Sequence, residues 1–225
     1  MITWEFFAGS RSFSKEASKR GFVTYTTDIQ DFEGIDQICD IFDFDIDLAL
    51  AKTGKPDIIW FSPPCNKFSV ASCFHHWNKI GSSYVPKSEG AKIGLLIMQK
   101  VNEIIEKVKP NFFIIENPRG LMRKMEHFKK HIRQTVWYCQ YGAKTAKPTD
   151  LWTNFRLIVK TCKNYKIDKN GEIIDRHCHH EVARRGANNG IQAISGNYQR
   201  SKVPADLINS ILDQIEKPIL RSWFV

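Results

Sequence analysis

A cysteine, a glutamate and an asparagine stand in this sequence where they could attack and protonate a bound molecule. Cys65 follows the apolar run DIIWFS and two prolines, and Glu116 and Asn117 close a later apolar run, NFFIIEN. The prolines stiffen the turn and would hold the thiol at the edge of a sheet. A thiol becomes a nucleophile when its thiolate is stabilised, and a neighbouring carboxylic acid could hold or protonate the bound group. The alternatives are a small buried cysteine and two strand-end residues exposed to water.

A second group of residues indicates a site for a nucleotide-like ligand. Ala8, Gly9 and Ser10 follow the first apolar run and would let the backbone approach a ligand at a helix N-terminus. Asp28 closes the second run, where an acidic side chain can accept both hydroxyls of a ribose. Because the later glycines of GxGxxG are absent, a plain strand-to-helix turn is the alternative. Asp40 could similarly cap a helix or turn instead of binding a base.

Apolar runs alternate along the chain with segments of helical period, which is typical of a parallel sheet covered by helices. The predicted strands are ITWEFFA, FVTYTTD, ICDIF, DIIWFS, NFFIIEN, TVWYCQY and LWTNFRLIVK, and the predicted helices are SFSKEASKRG, DIDLALAKTG, AKIGLLIMQKVNEIIEKVKP and ADLINSILDQIEK. The longest helix carries apolar residues at Ile93, Leu96, Ile97, Val101, Ile104, Ile105 and Val108. The polar residues described above fall at the carboxyl ends of strands, where open α/β sheets bind their ligands.

Composition limits the classes of protein that need to be considered. The 225 residues are 42% hydrophobic, which is enough for a substantial core in one domain with an elaboration. No apolar run approaches the ~20 residues that span a bilayer, and no secretory leader is visible, so we expect no membrane association. Six cysteines without CxxC spacing indicate reduced thiols. The net charge of +9 suggests a polyanionic partner.

These residues resemble the motifs of the cytosine-5 DNA methyltransferases, which use S-adenosylmethionine. FFAGS is similar to the first motif of that family, SPPCNKFSVAS to its Pro-Pro-Cys-x-x-Phe-Ser loop, and FFIIENP to its Glu-Asn motif. QYGAKTAKPTDLWTN resembles the segment that leads into the seventh strand, and SGNYQRSKVPADLINSI resembles the closing motif. The resemblance covers almost the whole chain in family order and looks closest to compact members from phages and bacterial mobile elements.

The resemblance implies a Rossmann-like methyltransferase fold, with a mostly parallel twisted sheet flanked by helices. It also implies methylation of carbon 5 of cytosine in double-stranded DNA, in the cytoplasm of a bacterium or of a phage-infected host. Cys65 would add to carbon 6 of a flipped base, Glu116 would neutralise charge on the ring, and Asn117 would position that side chain. The implied contacts of S-adenosylmethionine are Phe7, Ala8, Gly9, Ser10, Asp28, Ile29, Asp40, Ile41 and Pro63.

The sequence departs from the family pattern in two places. Glu5 stands where the family often has aspartate, and Arg11 and Ser12 replace the usual glycines. Lys144 and Lys147 occur where the family has arginines, and lysine cannot form the bidentate contacts of a guanidinium.

Target recognition would fall to a short basic segment, residues 161–196, between a catalytic core (1–160) and a part that returns to the core (197–225). Residues 140–202 hold twelve Lys and Arg against five Asp and Glu, which makes up seven of the nine net positive charges. The predicted DNA contacts are Ser69, Lys144, Lys147, Arg184, Arg185, Arg200 and Lys202. Phosphate contacts of this kind give affinity without sequence preference. A solvated lysine-rich loop is the alternative.

Two further groups could carry chemistry, although we assign them none. Cysteine and histidine are zinc ligands, and several are close together in or near the basic segment: Cys162, His177, Cys178, His179 and His180. Their spacing contains no CxxC or HxxxH pair, so we predict no metal. His75 and His76 are interpreted as exposed loop residues, with a flap that closes over DNA as the alternative.

Other functions are compatible with the same residues. One is methylation of RNA cytosine by the same chemistry, and another is a catalytically silent module that binds DNA and cofactor. A short target sequence or a helper protein would suit so compact a recognition segment, and protection from restriction is one biological role compatible with it.

Overall fold

The structure is a computed structural model that describes residues 1–162, 166–167, 169–170, 173–175 and 196–217. Its strands are β1 (Ile2–Phe6), β2 (Val23–Asp28), β3 (Gln37–Ile38), β4 (Ile58–Phe61), β5 (Trp77–Ile80), β6 (Ser83–Pro86), β7 (Phe112–Pro118), β8 (Ile132–Trp137), β9 (Pro148–Thr153), β10 (Lys166–Ile167) and β11 (Ile173–Asp175). Its helices are α1 (Ser12–Lys19), α2 (Ile46–Thr53), α3 (Cys73–His76), α4 (Glu89–Val108), α5 (Asn197–Ser201) and α6 (Ala205–Glu216). Strands and helices alternate through most of the described chain, which confirms the predicted α/β class.

Seven of the strands form one central sheet in the order β3-β2-β1-β4-β7-β9-β8. The strands from β3 to β7 are parallel, and β9 runs antiparallel to both of its neighbours. The strand order reverses between β1 and β4, because the chain moves outward through β2 and β3 before it returns to β4. A crevice forms at the carboxyl ends of strands around such a switch point. This sheet confirms the expected Rossmann-like fold.

Both faces of the sheet are covered because its central strands are apolar on both sides. Along β4, Ile59 and Phe61 enter one core cluster, whereas Ile58 and Trp60 enter the other. Such alternation follows from the two-residue period of a strand. The first cluster includes residues of α2 and α4, and the second includes residues of α1 and α6. No helix among the described residues has both the length and the apolar character needed to cross a membrane.

The C-terminal helix packs against the N-terminal one. Helix α6 contacts α1, and Leu207 and Ile211 share a core cluster with Phe13. The guanidinium of Arg20, just after α1, donates to the side-chain oxygen of Asn209 at 2.8 Å and pairs with Asp213 at 2.8 Å. Helices α1 and α6 therefore form one layer on the same face of the central sheet.

Some predicted elements have different boundaries in the structure. The strand expected for LWTNFRLIVK was wrong in its second half, because β9 ends at Thr153. The Asn154 side chain then takes over the pairing, since its Oδ1 accepts from the Phe113 N–H at 3.1 Å and its Nδ2 donates to the Asn111 carbonyl at 2.9 Å. The strand predicted for ICDIF covers only Gln37–Ile38, and a 3-10 turn follows at Ile41–Asp43.

A short antiparallel hairpin, β5–β6, follows the segment that carries Cys65, and the sequence pattern did not predict it. Gly81 has a positive φ of 60° at its turn, a conformation that glycine adopts without strain. His75 is exposed as predicted, whereas His76 is half-buried and its Nδ1 lies 2.9 Å from the Ser88 hydroxyl. The hairpin and the helix-capping Ser88 thus fix the end of this segment onto α4.

Candidate active site

The turn after β4 holds Cys65 at the carboxyl edge of the sheet. The Ser62 N–H donates to the Phe6 carbonyl at 3.2 Å, and the ladder then stops, because Pro63 and Pro64 have no N–H to donate. The Phe68 N–H donates back to the Cys65 carbonyl at 3.0 Å, which closes a turn around the cysteine. Cys65 is half-buried. We call residues 62–72 the Cys65 loop.

Buried aromatic side chains fasten the far side of this loop. Phe68 is 2% exposed, and its ring lies 5.2 Å from that of Trp77. The Trp77 indole donates to the Lys67 carbonyl at 2.8 Å, and the Leu121 N–H donates to the Phe68 carbonyl at 2.7 Å. The loop is therefore attached on one side to the hairpin and on the other to the segment after β7.

Glu116 and Asn117 lie on β7, the strand next to β4. Phe61 is paired with Ile115, so Glu116 is level with the first residue beyond the end of β4. Glu116 is 4% exposed and Asn117 is 1% exposed, so the alternative that both are open to water is wrong. The Asn117 Nδ2 donates to the Pro63 carbonyl at 2.7 Å. The two predicted motifs are thereby joined at one edge of the sheet.

Cys65 and Glu116 interact electrostatically across this edge. Burial raises the pKa of the Cys65 thiol, and the Glu116 carboxylate raises this pKa further. Lys147 and Arg200 lower the pKa of the same thiol by their positive charges. The structure therefore brings a thiol, a carboxylate and cationic groups into one partly desolvated region, in which burial and Glu116 disfavour the thiolate and the cationic groups favour it.

Tyr138 also belongs to this region, although the sequence analysis did not identify it. Its hydroxyl donates to Glu116 Oε1 at 2.9 Å, and the side chain is 2% exposed. Burial and the adjacent Glu116 raise the pKa of Tyr138 well above 10, so the hydroxyl remains a donor. Tyr138 was predicted only as part of a strand, and nothing in the spacing of TVWYCQY separates it from the other aromatic residues.

Lys147 lies beside the same residues. It is 7% exposed, its ammonium is 4.5 Å from the centre of the Tyr138 ring, and it donates to the Arg200 carbonyl at 2.7 Å. Burial lowers the pKa of Lys147, while Glu116 and Cys65 oppose that change. This lysine was predicted as a DNA contact, and it is found buried next to the catalytic candidates.

The loop after β1 forms a second part of the site. Three of its residues have positive φ values, which are 57° for Phe7, 41° for Gly9 and 54° for Arg11. The Gly9 N–H donates to Asp28 Oδ2 at 2.9 Å, and the Gln30 N–H donates to Asp28 Oδ1 at 2.9 Å. Each carboxylate oxygen retains capacity to accept another hydrogen bond. The arrangement fixes an acidic side chain beside a tightly bent loop, as a ribose site requires.

Glu5 supports this loop from below. It is 3% exposed and accepts hydrogen bonds from the N–H groups of Phe13 at 3.3 Å and Ser14 at 2.8 Å. These groups belong to the first turn of α1, which otherwise has no side-chain cap. Burial raises the pKa of Glu5 to about 6, although the two hydrogen bonds oppose the rise. The residue that departs from the family pattern thus serves as a cap for the helix after the loop.

The other predicted cofactor contacts surround this loop. Asp40 caps a 3-10 turn, which was the alternative to base binding in the sequence analysis. Its Oδ1 accepts from the Phe42 N–H at 3.0 Å. Pro63 is buried between the two parts of the site. The remaining residues range from buried to exposed: Ala8, Ser10 and Ile41 are buried, and Ile29 is 63% exposed. The sequence analysis missed Phe32, whose ring lies 5.6 Å from that of Tyr198 and closes this side.

The predicted DNA contacts are only partly described. Lys144 and Lys202 are exposed, and the Lys202 ammonium lies 5.2 Å from the centre of the Tyr198 ring. Arg200 and Ser69 are half-buried, and the Ser69 hydroxyl accepts from the Ala71 N–H at 3.2 Å. Arg184 and Arg185 lie outside the described residues.

Most of the residues named for the zinc alternative belong to the part of the chain outside the described ranges. Cys162 is buried, whereas His177, Cys178, His179 and His180 lie outside the described ranges. Within those ranges, no cluster of three or more His, Cys, Asp or Glu side chains is suited to a metal ion.

Comparison with known proteins gives two matches. Residues 4–165 match the family model of the C-5 cytosine-specific DNA methylases. A protein of Frog virus 3 (isolate Goorha), named "Probable DNA (cytosine-5)-methyltransferase", is 30% identical over 165 residues. The aligned region covers 70% of this chain and 73% of the viral protein. The family match includes most of β1, the Cys65 loop and β7.

Proposed function

Since the chain belongs to the C-5 cytosine-specific DNA methylase family and is a DNA (cytosine-5)-methyltransferase, we propose that it acts through a covalent bond between Cys65 and the target base. The observation that carries this proposal is that the Cys65 loop and Glu116 lie at the carboxyl edges of adjacent strands, which the hydrogen bond from Asn117 to the Pro63 carbonyl joins. A thiolate and a proton donor on the same base are the two groups that the reaction needs.

Cys65 would attack carbon 6 of the cytosine ring. Carbon 5 of free cytosine is a weak nucleophile, and the new bond converts the ring into an enamine whose carbon 5 can be alkylated. The Cys65 loop supports this role, because its two prolines and the buried Phe68 restrict the position of the sulfur. After methylation, loss of the proton from carbon 5 and departure of the Cys65 thiolate would restore the ring.

Glu116 would hold or share a proton at ring N3. The electrons that enter at carbon 6 accumulate on this part of the ring, and a proton there neutralises the developing charge. Asn117 would position this side chain indirectly, through its hydrogen bond to the Pro63 carbonyl at 2.7 Å. Because carbons 5 and 6 are stacked inside a duplex, the base would have to be flipped out to reach the two side chains.

S-adenosylmethionine fits the loop after β1. The alternating positive φ values of this loop bring backbone to the edge of the sheet, and Asp28 is held there with free acceptor capacity for ribose hydroxyls. Phe7, Gly9 and Ser10 would contact the methionine part, and Asp40 and Ile41 the adenine. Bound S-adenosylmethionine would supply an electrophilic methyl group.

Double-stranded DNA is the proposed form of the substrate. The basic segment and its flanks carry seven of the nine net positive charges, so they would neutralise phosphates. Lys144, Arg200 and Lys202 are the described residues that we assign to the backbone of the duplex, together with Ser69 of the Cys65 loop.

The experiment that tests the mechanism uses DNA in which every cytosine is 5-fluorocytosine. Fluorine cannot leave carbon 5 as a proton does, so the covalent complex should survive denaturing electrophoresis in the presence of S-adenosylmethionine. The Cys65→Ala variant should bind the cofactor normally and form no such complex. Equal trapping by the wild type and Cys65→Ala would reject the covalent role of this residue. Parallel reactions with labelled cofactor and duplex DNA or RNA identify the polymer that is methylated.

A further inference from the structure

We propose that Tyr138 and Lys147 are positioning residues for the catalytic pair: the Tyr138 hydroxyl orients the Glu116 carboxyl, and the Lys147 ammonium favours the thiolate of Cys65. The inference rests on the proposed function, because it assigns Cys65 and Glu116 their catalytic roles. It extends that function to two residues that the mechanism above does not use.

The contact between Tyr138 and Glu116 supports the orienting role. The hydrogen bond from the Tyr138 hydroxyl to Glu116 Oε1 is 2.9 Å long and fully buried. Tyr138 begins a 3-10 turn directly after β8, and its N–H donates to the Ala146 carbonyl at 2.9 Å, which fixes its backbone. This donor restrains rotation of the Glu116 carboxyl group and thereby fixes the direction in which its oxygens can face the base.

Two contacts hold the side chain of Lys147 in place. Its ammonium donates to the Arg200 carbonyl at 2.7 Å and lies 4.5 Å from the centre of the Tyr138 ring. Its backbone adopts a φ of 27°, a conformation that non-glycine residues rarely adopt, directly before Pro148. An almost fully buried lysine loses considerable hydration, so such a position is stable only with compensating partners. The aromatic face, the carbonyl and the nearby anions supply them.

The charges around Cys65 determine what Lys147 can do there. Glu116 on β7 raises the pKa of the thiol, and Lys147 before β9 and Arg200 on α5 lower it. The thiol also interacts with the Tyr138 hydroxyl. The Arg200 carbonyl and the Tyr138 ring fix the Lys147 ammonium, so its positive charge keeps one position beside the residue that contacts Glu116. Without the Lys147 charge, less positive charge would counteract the effect of Glu116 on the thiol. The pKa of Cys65 should therefore rise, and the thiolate should be harder to form.

The first test measures the thiolate of Cys65 directly, without DNA or methyl transfer. Purified protein is alkylated with iodoacetamide over a range of pH, and modification of the peptide that contains Cys65 is followed by mass spectrometry. In Lys147→Met the midpoint of the rate should move to higher pH, and in Lys147→Arg it should stay near that of the wild type. Lys160→Met is the matched control, because Lys160 stacks on a different ring, that of Tyr141, at 5.5 Å.

Loss of structure would give the opposite result. Burial raises the pKa of Cys65, so a partly unfolded variant would be alkylated with a midpoint at lower pH. A midpoint in Lys147→Met that is unchanged or lower overturns the role of Lys147. If Lys147→Met does not fold, Lys147→Gln retains a donor for the Arg200 carbonyl and tests the same charge.

The second test concerns Tyr138. In Tyr138→Phe, kcat for methyl transfer should fall about tenfold, because the hydrogen bond that orients the Glu116 carboxyl is lost, while cofactor affinity and KM for DNA change little. Tyr141→Phe is the control, since its hydroxyl accepts from the Lys160 N–H at 2.9 Å instead. Equal kcat values for the wild type and Tyr138→Phe overturn the orienting role. Trapping on 5-fluorocytosine should persist in both variants, which separates failure of this inference from failure of the covalent mechanism.

Discussion

Asn117 Nδ2 donates a hydrogen bond to the Pro63 carbonyl oxygen at 2.7 Å, and this contact joins the end of β7 to the turn that carries Cys65. Both motifs could be recognised separately in the sequence, but the bond between them determines their relative position. A buried side chain on one strand thus fixes the loop that follows the neighbouring strand.

Asn117→Asp should loosen that connection. The substitution replaces the N–H donor with a carboxylate oxygen that faces the Pro63 carbonyl, and neither oxygen can donate when the acid is ionised. We expect the free energy of unfolding to fall by about 1–3 kcal/mol, with loss of methyl transfer. Urea denaturation measures the first effect. Asn78→Asp, at an exposed position of β5, should change stability by less than about 1 kcal/mol.

Glu116→Gln should reduce methyl transfer by about 10²–10⁴, because the amide cannot supply a proton to the base. The amide oxygen can still accept from the Tyr138 hydroxyl, so we expect little change in stability. Cofactor binding, measured by calorimetry, should be preserved. Glu126→Gln, on an exposed turn, should retain full activity. Wild-type turnover by Glu116→Gln would contradict proton supply by this residue.

Gly120→Ala should displace the Cys65 loop. A Cβ at this position would lie 2.5 Å from the Phe68 carbonyl oxygen, and backbone cannot move aside as a flexible side chain can. We expect lower stability and lower activity. Gly90→Ala is the control, because its Cβ would meet only the flexible end of Lys67 and would favour α4 by up to about 1 kcal/mol. Similar activity in the two variants would count against a fixed loop position.

Glu5→Gln should remove one source of pH dependence from stability. The pKa of Glu5 rises from 4.5 to about 6 on folding, so its contribution to stability is fully present below pH 4.5 and is lost as pH rises through about 6. The loss amounts to about 2 kcal/mol. His131, whose pKa burial lowers to about 4, acts in the opposite direction in both proteins. The difference in unfolding free energy between variant and wild type should therefore change across this range, and parallel curves would argue against a buried, titrating Glu5.

The affinity for duplex DNA should fall steeply with salt. Each phosphate contact contributes about −0.9 to the slope of log K against log salt concentration. Lys202→Ala should make this slope shallower by about one, whereas Lys55→Ala should leave it unchanged, because Lys55 precedes β4 at the opposite edge of the sheet. Fluorescence anisotropy at several salt concentrations provides the measurement. A flat response would remove the proposed contacts with the DNA backbone.

The parts of the fold that depend on local periodicity could be predicted from the sequence. The core strand DIIWFS and the helix ADLINSILDQIEK were recognised because burial on both faces or on one face leaves a regular pattern. Helix α4 was also recognised, yet its apolar residues Ile93 and Leu96 are exposed, because part of the helix faces the solvent beyond the sheet. Periodicity therefore predicts that an element exists more reliably than it predicts which of its residues are buried.

The parts that depend on long-range contacts could not be predicted from local pattern. Tyr138 reaches Glu116 because β9 inserts between β7 and β8, and this strand order is not written in any short stretch of sequence. Lys147 lies in a lysine-rich stretch of sequence, which predicted an exposed DNA contact. In the structure it is buried, and its ammonium donates to a carbonyl of α5, a contact that is remote in sequence. The hairpin β5–β6 consists of two four-residue strands, which are too short to produce a recognisable alternation.

The packing of α6 on α1 has a consequence for synthesis on the ribosome. Phe13 and Ala17 share a core cluster with Leu207 and Ile211, so part of α1 lacks its native cover until α6 has been translated. At about 5–20 residues per second, the wait is roughly 10 to 40 s. Helix α1 is thus translated long before the helix that covers it, and a nascent chain of this protein carries that apolar surface uncovered in the meantime.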